Sequence, residues 1–186
     1  TAWINPANPE SGSEQWIVQQ RSGNLGGQTA YGLKITPSGE LAARIQTQLC
    51  PNPNIPCVGA SYYLDLTGPG LEAETWHHAA VTYDAATGNA ALYLNGEAVA
   101  SGSQGDGIAY ADPSQQFLLG VDRFKAGPNE IDTSYYNGLL DEFSLYSEAL
   151  DADAIGSFEA TSAKYTAAGT VVELSVRRYA EADTLP

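Results

Sequence analysis

The sequence predicts an all-β fold: a two-sheet antiparallel jelly-roll sandwich with one short helix. Three observations predict it. Short runs of strand-like residues recur along the 186-residue chain, each bounded by Gly, Pro, Asn or Asp. The stretch from Trp76 to Gly102 reads as three strands joined by two tight turns. No internal repeat, heptad or low-complexity block competes with this reading.

The meander comes first because its signals are sharpest. Trp76 to Asp84 alternates, with Ala79, Val81 and Tyr83 on one face and Ala80 and Thr82 on the other. Thr87-Gly88-Asn89 makes the first turn. Ala91 to Leu94 is the second strand, and Asn95-Gly96 suits the two positive φ values of a type I′ hairpin. Glu97 to Ser101 is the returning strand. Upstream, Trp16 to Gln20, Ala30 to Thr36, Leu41 to Thr47 and Ser61 to Leu66 read as strands. Pro37-Ser38-Gly39 forms a hairpin turn, because Pro presets φ and Gly accepts the bend. Gly23 to Gly27 is a loop, and Gly68-Pro69-Gly70 ends a strand. Downstream, Ser103 to Ser114 is loop, Gln116 to Val121 strand, Asp122 to Ser134 a long connection, and Asn137 to Tyr146 strand. One or two helical turns follow from Asp151 through Ile155, with Asp151 or Asp153 as the cap. Val171 to Arg178 is a last strand, and Ala180 to Pro186 a linker or tail.

Composition narrows the partners. The chain carries 22 acidic and 8 basic residues, a formal charge of −14. That field repels phosphate backbones, so nucleic acid is excluded as a partner. It suits either simple solubility in a salty or extracellular medium or the binding of hard cations, calcium first. No apolar run reaches the ~20 residues of a membrane helix, so no membrane insertion is expected. The chain opens in a strand-like segment, Thr1 to Asn5, with no initiator Met and no signal pattern, and reads as a fragment or processed product. Cys50 and Cys57 bracket Pro-Asn-Pro-Asn-Ile-Pro, with neither histidine near in sequence. A disulfide fits this spacing better than zinc, which wants four ligands, and a free-thiol pair is the alternative. An oxidised pair implies a secreted or cell-surface protein.

The meander, then Phe117-Leu-Leu-Gly120 and Gly138-Leu-Leu-Asp-Glu-Phe-Ser-Leu-Tyr146, resembles the laminin-G-like, concanavalin A-like jelly-roll domains. That family pairs a Trp-x-His-Val-Ala-x-Thr-Tyr-Asp strand with a Leu-Tyr-x-Asn-Gly turn, here Trp76 to Asp84 and Leu92 to Gly96. Its closing Leu-Ser-x-x-Glu-Ile helix corresponds to Leu150 to Ile155, and Trp3-Ile-Asn-Pro6 looks like its early strand. The resemblance covers residues 1–158, so 159–186 is read as an added strand and tail. It departs from the family at the strand expected before Trp3, at Ala79 in place of Val, and at the proline-rich cysteine loop. The resemblance implies a fold shared by carbohydrate-binding modules, adhesive surface domains and spacers of secreted enzymes, some with calcium at the sandwich rim.

Candidate sites follow. Related glucanases place Glu-x-Asp-x-x-Glu on one strand, but Leu139 and Ser144 stand at the outer two positions here. Asp141 and Glu142 are adjacent and point to opposite faces, so no catalytic residue is assigned. His77 and His78 also face opposite ways and read as structural. Asp141 shares the parity of Phe143 and Leu145, which places it toward the core. It is then either a buried acceptor for loop N–H groups or a calcium ligand with Asp122 or Asp132. Tyr62, Tyr63, Tyr135 and Tyr136 form consecutive pairs, so one ring of each pair turns outward, where it packs ordinarily or stacks on a sugar; Tyr110 lies in a loop. The sequence therefore reads as a non-catalytic extracellular module that binds glycan or matrix protein. The second reading is a structural domain of a larger surface protein that self-assembles through edge strands.

Overall fold

The computed structural model describes residues 1–21, 29–47, 63–105, 107–108, 116–126 and 129–162. Among these lie β1 (Ala2–Pro6), β2 (Gln15–Arg21), β3 (Thr29–Ile35), β4 (Glu40–Gln46), β5 (Tyr63–Gly70) and β6 (His77–Asp84). They are followed by β7 (Asn89–Leu94), β8 (Glu97–Ser103), β9 (Phe117–Leu119), β10 (Asp122–Ala126), β11 (Asn129–Thr133), β12 (Gly138–Asp141) and the helix α1 (Ala152–Ser162). Two five-stranded sheets result, sheet A in the order β12-β1-β6-β7-β8 and sheet B in the order β5-β4-β3-β2-β9. β10 and β11 pair apart as a hairpin. The sandwich expected from the sequence is the fold observed.

The inner faces make one core. Ile4 and Leu92 of sheet A meet Ile17, Leu33, Ile35, Leu41 and Ile45 of sheet B, each at most 2% exposed. The meander matches its signals: Ala79, Val81 and Tyr83 face this core, while Ala80 faces the opposite side. Asn95 and Gly96 have φ of 52° and 81°, as a type I′ turn requires. The Asn95 Oδ1 also accepts the His78 N–H at 2.9 Å, tying the turn to β6.

The outer face of sheet A is covered by α1. Asp151 caps the helix, its Oδ1 accepting the Ala154 N–H at 2.8 Å. Ile155 is fully buried against Ala80 and Tyr93. The His78 ring sits between Trp3 at 5.5 Å and Phe158 at 6.1 Å, centroid to centroid. Burial, reinforced by positive charge at the Thr1 amine, pushes His78 down to about 4. The His77 ring lies on the other face, with Nε2 3.2 Å from the Glu72 carbonyl, so the two histidines do part as alternation requires.

Four expectations need correction. Gly68-Pro69-Gly70 does not end β5, which continues to Gly70. The pairing with β4 shifts between Glu40 and Ala42, so the Gly-Pro pair forms a bulge on an edge strand that has no inner ladder to break. Gly68 is also needed for close approach, since a Cβ there would lie 2.9 Å from Val99 of β8. The connection Asp122 to Ser134 is a hairpin, held in part by the Arg123 fork on Asp132 at 2.6 and 3.0 Å. The strand Asn137 to Tyr146 is cut to Gly138–Asp141 by Glu142, whose φ is 47°. Finally α1 runs for 11 residues, from Ala152 to Ser162, past the end expected at Ile155; Gly156 packs over the Gly96 carbonyl, 3.9 Å from where its Cβ would be. Cys50, Cys57, Tyr62, Tyr110, the Gly23 to Gly27 loop and the Val171 to Arg178 strand lie outside the described residues.

Ile155→Ala should destabilise the domain by about 2–5 kcal/mol in urea titration, because it empties a fully buried helix position. His78 gives a second expectation. An imidazole lowered from 6.5 to about 4 binds fewer protons folded than unfolded in that interval, so stability falls as pH drops from 6.5 toward 4. The slope of unfolding free energy across that window should flatten in His78→Phe; an unchanged slope would remove His78 as its source.

Candidate functional site

The outer face of sheet B carries polar and aromatic residues where a free sheet face would need only solubility. Its origin is alternation. On β3, Tyr31, Leu33 and Ile35 point inward and Lys34 outward; on β4, Leu41, Ala43 and Ile45 point inward and Arg44 outward. On β5, Leu64 and Leu66 point inward and Tyr63 and Asp65 outward. On β2 the register shifts between Trp16 and Val18, so the extra residue Ile17 lets both Ile17 and Val18 enter the core while Trp16 stays outside opposite Lys34. Across the sheet this aligns Asp65, Arg44, Gly32 and Gln19 in one row. The Trp16 ring lies over Gly32, where an added Cβ would meet the ring edge at 2.8 Å. Glycine is required there by space.

These side chains form a continuous network. Trp16 Nε1 donates to Glu14 Oε1 at 2.8 Å, and the other oxygen of Glu14 pairs with Lys34 Nζ. The Lys34 ammonium lies 5.2 Å from the Trp16 ring centroid. Arg44 grips Asp65 with Nε and Nη2 at 2.7 and 2.8 Å and stacks 4.8 Å over the Tyr63 ring. The Asp65 hydrogen bond holds the Arg44 guanidinium above its ordinary value, and the field of Glu14 adds to it. Burial raises the Tyr63 phenol. Beside them Thr29 Oγ1 donates to Gln19 Oε1 at 2.8 Å, and Gln19 Nε2 donates to Asp122 Oδ1 at 2.6 Å. Trp16 is 2% exposed and Gln19 fully buried, whereas Arg44 and Asp65 keep 33% and 48% of their side-chain surface. The open part of the site is therefore its β4–β5 end.

The structure sorts the residues expected from the sequence. Tyr63 belongs to this site. Tyr135 is 62% exposed and stands at the rim of the same sheet, bridged to Trp16. Tyr136 turns the other way into the core, where its hydroxyl donates to the Leu139 carbonyl at 3.1 Å and burial raises the phenol well above its ordinary value. Asp122, Asp132 and Asp141 are not brought together. Asp122 is engaged by Gln19, and both oxygens of Asp132 are held by Arg123. Asp141 belongs to sheet A and does not face the core: it stands opposite Trp3 on the helix side and accepts the Glu142 N–H at 2.8 Å. Its partner by parity is exposed Leu139, because the left-handed Glu142 adds a residue before Phe143; Leu145, expected in the core, is 53% exposed. These three carboxylates do not fit a shared calcium ion, and no group of three metal-ligating side chains occurs among the described residues.

Glu14, Trp16, Lys34, Arg44 and Asp65 are the functional candidates that sequence reading passed over. A cation flanked by apolar residues, as in Leu33-Lys34-Ile35 and Ala43-Arg44-Ile45, marks the outward face of a strand and could have located them.

Comparison with known proteins agrees with this architecture. The CBM40 domain of the Ruminococcus gnavus IT-sialidase, bound to α2,3-sialyllactose, superposes with a TM-score of 0.62 at 14% identity, over 85% of this chain and 79% of that one. A carbohydrate-binding protein from Bacteroides ovatus, so described provisionally, gives 0.55 at 22% identity over 83% of this chain and 38% of its own. The heptameric SAP-like pentraxin of Limulus polyphemus gives 0.57 at 17% identity, over 85% and 67%. At these identities the likeness is one of fold. A search of curated proteins finds no match. The family model of the concanavalin A-like lectin/glucanases superfamily matches residues 1–156, and the chain belongs to that superfamily.

Proposed function

We propose that this domain is a non-catalytic carbohydrate-binding module that reads glycan hydroxyls with the β4–β5 end of sheet B. The carrying observation is the partly open cluster of Tyr63, Arg44, Asp65 and Glu14. It combines an aromatic ring with planar, oriented donors and acceptors, the groups that recognise a ring edged with hydroxyls. Arg44 directs Nε and Nη2 to Asp65, and its Nη1, which has no hydrogen-bond partner among the described residues, is the donor assigned to a ligand oxygen. The fold neighbours support the class, since a CBM40 domain among them is bound to sialyllactose. The non-catalytic reading is supported by the carboxylates themselves: Glu14 is paired with Lys34 and Asp65 with Arg44, which leaves neither free to act as acid or nucleophile. An extracellular or surface setting belongs to the same reading and draws on the acidic balance and on the close spacing of Cys50 and Cys57 in the sequence, which suits a disulfide.

A glycan array followed by calorimetry tests the proposal. Tyr63→Ala and Arg44→Ala should each weaken the best ligand about tenfold or more. Thermal melting of each variant controls for folding; breaking the half-exposed Arg44–Asp65 ion pair should cost under about 1 kcal/mol of stability. Silence across the array, or variants that bind as the parent does, would overturn it.

A further inference from the structure

We propose that the site on sheet B selects uncharged sugars, and that Asp65 and Glu14 exclude sugars bearing a carboxylate. This deepens the reading of the β4–β5 end as a glycan site and rests on it. The sequence distributes its charge unevenly. Among the described residues the Lys and Arg residues are Arg21, Lys34, Arg44, Arg123 and Lys125, on β2, β3, β4 and β10. Sheet A and α1 carry none. A face that gathers the cations of a chain with a net charge of −14 would attract anionic ligands if those cations were free. At its open end they are not.

Asp65 takes Nε and Nη2 of Arg44, the fork that a ligand carboxylate would use. Glu14 holds Lys34 with one oxygen and the Trp16 Nε1 with the other. Two cations and two carboxylates cancel, so the cluster has no net charge. Exposure decides which of the four a ligand meets first. The Lys34 side chain keeps 10% of its surface and Arg44 33%, against 35% for Glu14 and 48% for Asp65. Each carboxylate is more open than the cation it holds, so the acids stand in front. A ligand carboxylate could reach Arg44 only beside Nη1, sharing one guanidinium with Asp65 and lying near Glu14, whose field also reaches Arg44. Carboxylates that compete for one cation repel each other. A hydroxyl meets no such conflict, because it accepts from Nη1 and donates to Asp65. Charges beyond about 8 Å are screened at physiological ionic strength, so these two side chains make the discrimination and the net charge of the whole chain does not. Selectivity of this kind comes from repelling the wrong ligand.

The test takes the best neutral oligosaccharide from the array and its uronic acid forms, each with one hydroxymethyl group oxidised to a carboxylate. Calorimetry on the 186-residue chain measures them all. In the parent, oxidising the ring seated on the cluster should weaken binding roughly tenfold or more, and no oxidised form should gain. Asp65→Asn should raise the ratio of acidic to neutral affinity roughly tenfold, because it leaves the Arg44 fork to the ligand carboxylate. Glu14→Gln should raise the ratio by less, since Glu14 acts on Arg44 through its field alone. Each ratio compares two ligands on one variant, so an inactive fraction cancels, and thermal melting checks the fold of both. An oxidised form that binds the parent more tightly than the neutral sugar would overturn the proposal, as would ratios unchanged in both variants. Either result leaves the glycan site itself standing. A parent silent to every sugar would remove that site, and the selectivity with it.

Discussion

Every feature of this molecule depends on the two-residue alternation of side chains across its strands. One face of each sheet joins the shared core, so a residue's parity decides whether it is buried or presented. Wherever a strand carries one residue too many, parity reverses beyond that point. Three of these irregularities bear on Trp16, β5 and Asp141: at Ile17, at Gly68-Pro69 and at Glu142. The first frees Trp16 from the core, the second keeps an edge strand continuous, and the third sends Asp141 outward while Phe143 turns in.

The same constraint explains what could be read in advance. The meander, the Asn95-Gly96 turn and the Asp151 cap were legible because each is encoded within a few consecutive residues. Tyr135 and Tyr136 were legible as a pair that must part, but not which ring would be exposed. The cluster of Glu14, Trp16, Lys34, Arg44, Asp65 and Tyr63 was hidden because its members come from four strands and a preceding loop, brought into line only by the pairing of β2 to β5. Asp141 was misplaced because a left-handed φ at a glutamate has no signature in sequence. The hairpin of β10 and β11 was missed because charged residues such as Arg123 and Asp132 are poor strand formers alone and gain their place through pairing.

Polarity is spent unevenly between the sheets. Sheet A buries two histidines and half-buries Trp3 in mostly apolar surroundings, and the His78 Nδ1 and Trp3 Nε1 find no hydrogen-bond partner among the described residues. On the outer face of sheet B, Trp16, Glu14 and Lys34 satisfy their polar atoms on one another. Such mutual satisfaction holds side chains in one arrangement before any ligand arrives, which lowers the ordering cost of binding.

The helix α1 has a geometric consequence. By seating Ile155 and Phe158 on the outside of sheet A, it withdraws that surface from contact and makes the domain one-sided. A larger assembly could anchor the domain by its helical back without masking Tyr63 and Arg44, which look away from it. The direction in which such a domain faces would then be set by where its helix is mounted.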